Sequence, residues 1–300
     1  MLYNTYNEKV VIFMDFDFKA INEEEKVEGF SKNIFILILS LLGMFVLPSV
    51  VAIALLIVLP QNIDATFWSY IAQLLGYGLY VFFLFMYLGK DKVKNILKQF
   101  ISPRNIKTGI VFAVVAYIAS LFTSIVITTL FGSSGSNANQ ESLDASFLTN
   151  PGLVILLACV GAPIVEELVF RYSIYRPLAR KNKALAYIVT IIGFAGIHFI
   201  STLSVFALEM TDPTISNELA VNNLLEDLKT LPVYMVGAFV LTFVYDINGN
   251  IGTSILTHAF YNLSQVLLMF LALGLTEDSE SMTFISQSIT NLIEYIKLII

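Results

Sequence analysis

Seven stretches of this chain are apolar over about the length that crosses a bilayer, and no other feature constrains its fold so strongly. A ~30 Å hydrocarbon layer is spanned by about 20 apolar residues in a helix. A backbone crossing it must satisfy its own N–H and C=O groups, which leaves helices and closed barrels. Barrel strands would alternate apolar and polar residues, and these runs do not. With 57% hydrophobic and 13% charged residues, the chain reads as an all-α, polytopic membrane helix bundle. The runs fall at roughly 34–59, 66–89, 109–131, 150–171, 184–206, 231–247 and 251–274. Ile285, Ile289, Leu292, Ile296 and Ile299 recur at helical spacing, so 275–300 reads as an amphipathic helix or an eighth span. The expectation is 7–8 transmembrane helices: a polar segment at 1–32, a bundle at 33–274 with its functional core in 150–270, and the C-terminal element.

Basic residues set the expected orientation. Lys9, Lys19, Lys26 and Lys32, six basic residues in 90–107 and five in 171–183 make 15 of the 17 Lys and Arg. All fall on one side if the spans alternate, which predicts a multi-pass cell-membrane protein with a cytoplasmic N-terminus. The 132–148 segment, of small polar residues, and the acidic 209–230 segment are then external loops. A net charge of −6 gives no support for nucleic-acid binding. Cys159 is the single cysteine, so no intrachain disulfide forms. The long polar, acidic stretch before the first apolar run does not read as a cleavable signal peptide. No internal repeat marks an inverted-repeat transporter.

Against this apolar background, Glu166 and Glu167 stand side by side in the fourth run. Intramembrane carboxylates are costly and usually mark a functional site. Arg171 lies four residues after Glu167, on the same helix face, whereas Glu166 points about 100° away. One carboxylate is thus expected to be paired and the other free to act. The chain's two histidines, His198 and His258, also lie in apolar runs. Counted from the flanking polar segments, Glu166, His198 and His258 lie about 15, 22 and 15 Å deep at 1.5 Å per residue. Similar depth on three spans predicts one buried polar site. His258 and Asn262 share a face, as do Phe194 and His198. Pro163 is expected to kink the fourth span by removing a hydrogen bond to the Cys159 carbonyl. Gly193 and Gly196 are expected to let helices approach closely near His198.

Other protease signatures fail. Gly132 to Gly135 reads GSSG but falls in an external loop, Tyr245-Asp246 lacks a Gly-x-Gly-Asp partner, and no His-Glu-x-x-His is present. Glu166, Glu167 and Arg171 match Glu-Glu-x-x-x-Arg, Phe194 and His198 match Phe-x-x-x-His, and His258 and Asn262 match His-x-x-x-Asn. In this order the three motifs resemble those of the CAAX-protease and bacteriocin-processing (CPBP, Abi) family, which includes type II CAAX prenyl endopeptidases. The resemblance implies an intramembrane endopeptidase that hydrolyses a peptide bond of a membrane-associated protein or peptide near the cytoplasmic leaflet. Glu166, assisted by His198, would activate water. His258 and Asn262 would stabilise the oxyanion, Glu167 would orient the site through Arg171, and Phe194 would support it by packing. No metal, or a Zn2+ held by Glu166, His198 and His258, both remain open at this point. The expected partners are the lipid bilayer and a membrane-associated peptide or protein. Competing readings are a non-catalytic membrane scaffold, a bacteriocin-immunity protein of the same family, and a proton-coupled transporter.

Overall fold

The computed structural model describes residues 29–58, 65–132 and 137–274. The N-terminal segment up to residue 28, residues 133–135 of GSSG and the element expected at 275–300 lie outside the described residues. Regular structure among the described residues is entirely helical. In chain order, the helices are α1 (Ser31–Val58), α2 (Ala65–Leu88), α3 (Lys90–Phe100), α4 (Pro103–Phe131), α5 (Ala138–Thr149) and α6 (Pro151–Ala179). There follow α7 (Lys183–Ile197), α8 (Ile200–Glu209), α9 (Asn217–Leu228), α10 (Leu231–Asn248) and α11 (Ile251–Gly274).

Six helices are long and apolar enough to cross a membrane, and α7 with α8 supplies a seventh if the bent pair is one span. The protein is therefore a multi-pass membrane bundle. Its centre is α6, where 67% of the most apolar window is buried, against 11% in α1 and 22% in α4. The peripheral helices turn Leu, Ile, Val and Phe outward, as lipid-facing spans do.

Three expectations are corrected. The segment at 132–148 is not a loop throughout: its later part is α5, whose N-cap Asn137 accepts the Gln140 N–H at 2.9 Å. The 209–230 segment likewise holds α9, which with α10 makes a helix 32 residues long (Asn217–Asn248). At 1.5 Å per residue that helix is about 48 Å, so α9 extends beyond a ~30 Å hydrocarbon layer. Polar composition hid both helices, because a helix at or beyond a membrane face needs no apolar face all round. Asp227 ties them together, accepting from the Ala138 N–H at 3.1 Å and the Thr202 hydroxyl at 2.7 Å. The fifth span is not continuous either: α7 and α8 meet at 49° around His198 and Phe199. There the N–H groups of His198 and Phe199 turn to the i−3 carbonyls of Ala195 and Gly196, a tightened turn that ends the helix.

Around Pro163 the fourth span stays one helix. Its disruption is absorbed in a π-turn at Leu157–Gly161, where the Ala162 N–H reaches back five residues to the Leu157 carbonyl. A second π-turn spans Leu168–Tyr175, and the Ser173 hydroxyl donates to the Leu168 carbonyl at 2.7 Å. Ser173 also meets Ser40 at 2.7 Å, and Tyr80 donates to Ser40 at 2.8 Å. This hydroxyl chain joins α1, α2 and α6 in the apolar core, a type of polar contact suited to helix association in lipid. Gly193 is where α7 presses on α6, since a Cβ there would lie 3.2 Å from the Phe170 ring. A Cβ at Gly196 would meet nothing within 4 Å, so close approach falls to Gly193 alone.

Candidate active site

Glu166 and Glu167 occupy the short α-helical turn Ala162–Glu167 between the two π-turns. π-turns inside helices often occur at functional sites. Glu167 is fully buried, and three side chains from two helices converge on it. Arg171 donates Nη1–H to Oε1 at 2.7 Å, along the same helix. From α11, Ser254 donates its hydroxyl to Oε2 at 2.5 Å, and His258 Nδ1 lies 3.0 Å from Oε1. Arg171 is itself fully buried and donates Nη2–H to the Ala238 carbonyl of α10 at 3.1 Å. Its guanidinium sits 4.6 Å over the Phe194 ring of α7. One ion pair thus holds α6, α7, α10 and α11 together.

Glu166 is placed differently. It is buried, its Oε2 has no hydrogen-bond partner among the described residues, and that oxygen lies 3.8 Å from His258 Nε2. That separation is too long for a direct hydrogen bond and suits a bridging water. His198 fixes its Nδ1 on the Phe194 carbonyl at 2.9 Å. Its ring lies between those of Phe194, at 5.0 Å, and Tyr234 of α10, at 4.6 Å. Phe194 also touches the His258 ring at 5.6 Å.

The hydrogen-bond network assigns the tautomers. A carbonyl only accepts, and so does an ionised carboxylate such as Glu167, which already accepts from Arg171 and Ser254. Nδ1 is therefore the protonated nitrogen in both histidines, which leaves each Nε2 bare when the ring is neutral. His258 Nε2 and Glu166 Oε2 are then two acceptors 3.8 Å apart, which a water donating to both can bridge. His258 Nε2 donates only as an imidazolium.

Asn262 donates its Nδ2–H to the Ala158 carbonyl at 2.7 Å. Ala158 lies in the first π-turn. The Ala162 N–H that would normally reach its carbonyl bonds to Leu157 instead, and Pro163 has no N–H to offer. Asn262 fills the position that these two leave open. One consequence of Pro163 is thus an acceptor at Ala158 for the motif asparagine.

Residues 148–264 match the family described as type II CAAX prenyl endopeptidase Rce1-like. The matched region contains all three motifs, and it is the part of the chain that builds the site. Over 228 aligned residues the chain is 27% identical to an uncharacterised protein of Mycoplasma capricolum subsp. capricolum, covering 71% of this chain and 60% of that protein. A UPF0177 protein from the abiGi 5' region of Lactococcus lactis subsp. cremoris is 24% identical over 64% of this chain and 77% of its own length. The UPF0177 protein YaiH of Lactococcus lactis subsp. lactis is 28% identical over 59% of this chain and 63% of its own length. The chain thus spans about three-fifths of the Mycoplasma relative and of YaiH. No solved structure matches it.

Within the Rce1-like region the structure gathers Glu166, Glu167, Arg171, Phe194, His198, His258 and Asn262 around the central helix. Ser254 and Tyr234 also contact these side chains, on Glu167 and His198, and motif reading missed them. Ser254 had a signal, standing four residues before His258 on the face that also carries Asn262. Tyr234 had none, since it comes from α10, which bears no motif. From outside the Rce1-like region, Tyr77 of α2 packs by the first π-turn, and its hydroxyl accepts from Gln73 at 3.0 Å.

The bare Nε2 atoms of His198 and His258, each oriented through Nδ1, have the donor chemistry of metal ligands. Among the described residues, however, no three His, Cys, Asp or Glu side chains are grouped closely enough to hold an ion.

Proposed function

We propose that this protein is an intramembrane endopeptidase of the glutamate type, cutting a membrane-associated peptide or protein near the cytoplasmic face. The single observation that carries this reading is Glu166: a buried carboxylate oxygen without a hydrogen-bond partner among the described residues, 3.8 Å from a histidine nitrogen. Glu167, by contrast, has both oxygens hydrogen-bonded. An oxygen kept free is suited to a water nucleophile.

In this reading Glu166 takes a proton from water as the oxygen adds to the scissile carbonyl. His198, with Nε2 bare, accepts a second hydrogen bond from that water. The tetrahedral oxyanion is met by Asn262 Nδ2 and by His258 Nε2–H in its imidazolium form, which Glu167 stabilises through Nδ1. Glu166 then returns its proton to the leaving amine as the C–N bond breaks. Arg171 holds Glu167 in place and touches no substrate. Water exclusion by the surrounding spans strengthens each of these electrostatic interactions. The Rce1-like match supports a proteolytic function, and lipidated C-terminal segments are one substrate class within that reading.

The test is purified protein in lipid bicelles with a panel of membrane-inserted peptides, with and without a prenylated C-terminus. Products are read by mass spectrometry. Scission at one bond near a membrane face is expected, lost in His198→Ala. Cleavage at the parent rate by His198→Ala would remove that residue from the mechanism. An intact panel in the presence of folded parent protein would favour the scaffold reading.

A further inference from the structure

A second surface lies on α3, outside the Rce1-like region. Gly89, with φ 84°, turns the chain out of α2, and Pro103 opens α4 just after α3 ends. Because α2 and α4 are successive spans, α3 sits at a membrane face. Its residues sort into three faces at 100° per residue. Ile96 is buried, with Val93 and Phe100 half-buried beside it. Leu97 and Ile101 form an apolar edge, 53% and 76% exposed. Next to that edge, Lys90, Lys94 and Lys98 recur every fourth residue and make an exposed row about 12 Å long. None of these three lysines forms an ion pair among the described residues. The segment 90–107 holds six basic residues and one acid, Asp91.

This row is held in place rather than carried on a loose linker. The Gly252 N–H donates to Gln99 Oε1 at 2.9 Å, and Asn105 donates to the Gln99 carbonyl at 2.9 Å. A Cβ at residue 252 would fall 2.5 Å from Gln99 Cβ, so glycine is required for this contact. Gln99 thereby clamps α3 to the first turn of α11, the helix that carries Ser254, His258 and Asn262.

We propose that Lys90, Lys94 and Lys98, with Leu97 and Ile101, form a binding site for anionic phospholipid headgroups. The lysines meet the phosphate and the apolar edge meets the upper acyl chain, the pattern of a basic amphipathic helix at a membrane interface. An acidic soluble peptide or free phosphate would use the lysines only. The apolar edge beside them favours the lipid.

The test is native mass spectrometry of the full chain titrated with phosphatidylglycerol or phosphatidylcholine of matched acyl chains. The parent is expected to retain phosphatidylglycerol preferentially. The variant Lys90→Gln/Lys94→Gln/Lys98→Gln should lose affinity for it roughly five-fold per lysine, with phosphatidylcholine unchanged. The matching Lys→Arg variant should keep the preference, and so should a control with Lys32, Lys107 and Lys181 changed to Gln. Displacement of the lipid by equimolar inorganic phosphate would reassign the site to the free anion. Equal affinity of parent and Gln variant, or an equal loss in the control, would overturn the proposal. Should the Gln variant not fold, the parent decides alone: no preference for phosphatidylglycerol over phosphatidylcholine at low salt overturns the proposal as well.

Discussion

Replacing Arg171 with methionine tests the packing logic of the site. The methionine keeps much of the side-chain volume and removes the guanidinium. Glu167, fully buried, would lose its 2.7 Å ion pair and keep only Ser254 and His258 as donors. The Ala238 carbonyl would lose its Arg171 donor at the same time. Breaking a buried pair by removing one partner costs about 3–5 kcal/mol, because the remaining charge is uncompensated. For 300 residues, at about 2.1 cal/mol/K of unfolding entropy per residue, that corresponds to a fall in Tm of roughly 5–8 °C. The protein carries its own reporter, since Cys159 is the only cysteine and is buried. A thiol-reactive fluorophore therefore reads unfolding directly, in detergent, as Cys159 becomes accessible. Removing both charges in Glu167→Gln/Arg171→Met should restore more than half of the loss, since a neutral amide still accepts from Ser254. The reasoning is refuted if Arg171→Met melts within about 2 °C of the parent, a shift too small for an orphaned buried charge, or if the double variant is no better than the single.

Asn262→Ala should slow cleavage by about 10²–10³ while leaving measurable turnover, as loss of one oxyanion donor does; an unchanged rate would confine Asn262 to its bond with Ala158. Tyr234→Leu should lower kcat by roughly 2–10-fold through loss of the ring contact with His198, whereas Tyr234→Phe should not; equal losses in both would point to the hydroxyl instead. Single cysteines in a Cys159→Ala background should label from the cytoplasmic side at residue 98 and from the outer side in α9; external labelling at residue 98 would reverse the expected orientation.

The sequence makes the spans legible because lipid imposes one rule on every crossing helix, and length with hydropathy expresses it. The same rule makes Glu166, Glu167, His198 and His258 conspicuous as polar groups in apolar runs. Spacing carries local contacts, as in the Arg171–Glu167 pair four residues apart. It carries less where partners come from other helices. Nothing in the α10 sequence indicates that the Ala238 carbonyl receives Arg171 or that Tyr234 lies on His198. Nor does spacing say which histidine approaches Glu166, because that depends on helix rotation. The π-turns are illegible for a related reason. Pro163 announces a missing hydrogen bond, but where the helix absorbs it depends on Asn262, about a hundred residues later. The helices α5 and α9 were hidden because hydropathy reports burial in lipid and says little about helices that need none.

The central claim is that Glu166 activates the water that cuts the peptide, and Glu166→Gln tests it most directly. The amide keeps the shape of the side chain and removes the base. The assay is cleavage of a susceptible membrane peptide in bicelles prepared in H2 18O, followed by mass spectrometry of the new C-terminus. The account predicts that the parent releases a fragment whose new carboxyl carries one 18O. It predicts that Glu166→Gln is slower by about 10²–10⁴, while Cys159 stays protected to about the parent's melting temperature, because Glu166 Oε2 makes no hydrogen bond among the described residues that the amide would break. Cleavage by Glu166→Gln at the parent rate would contradict it.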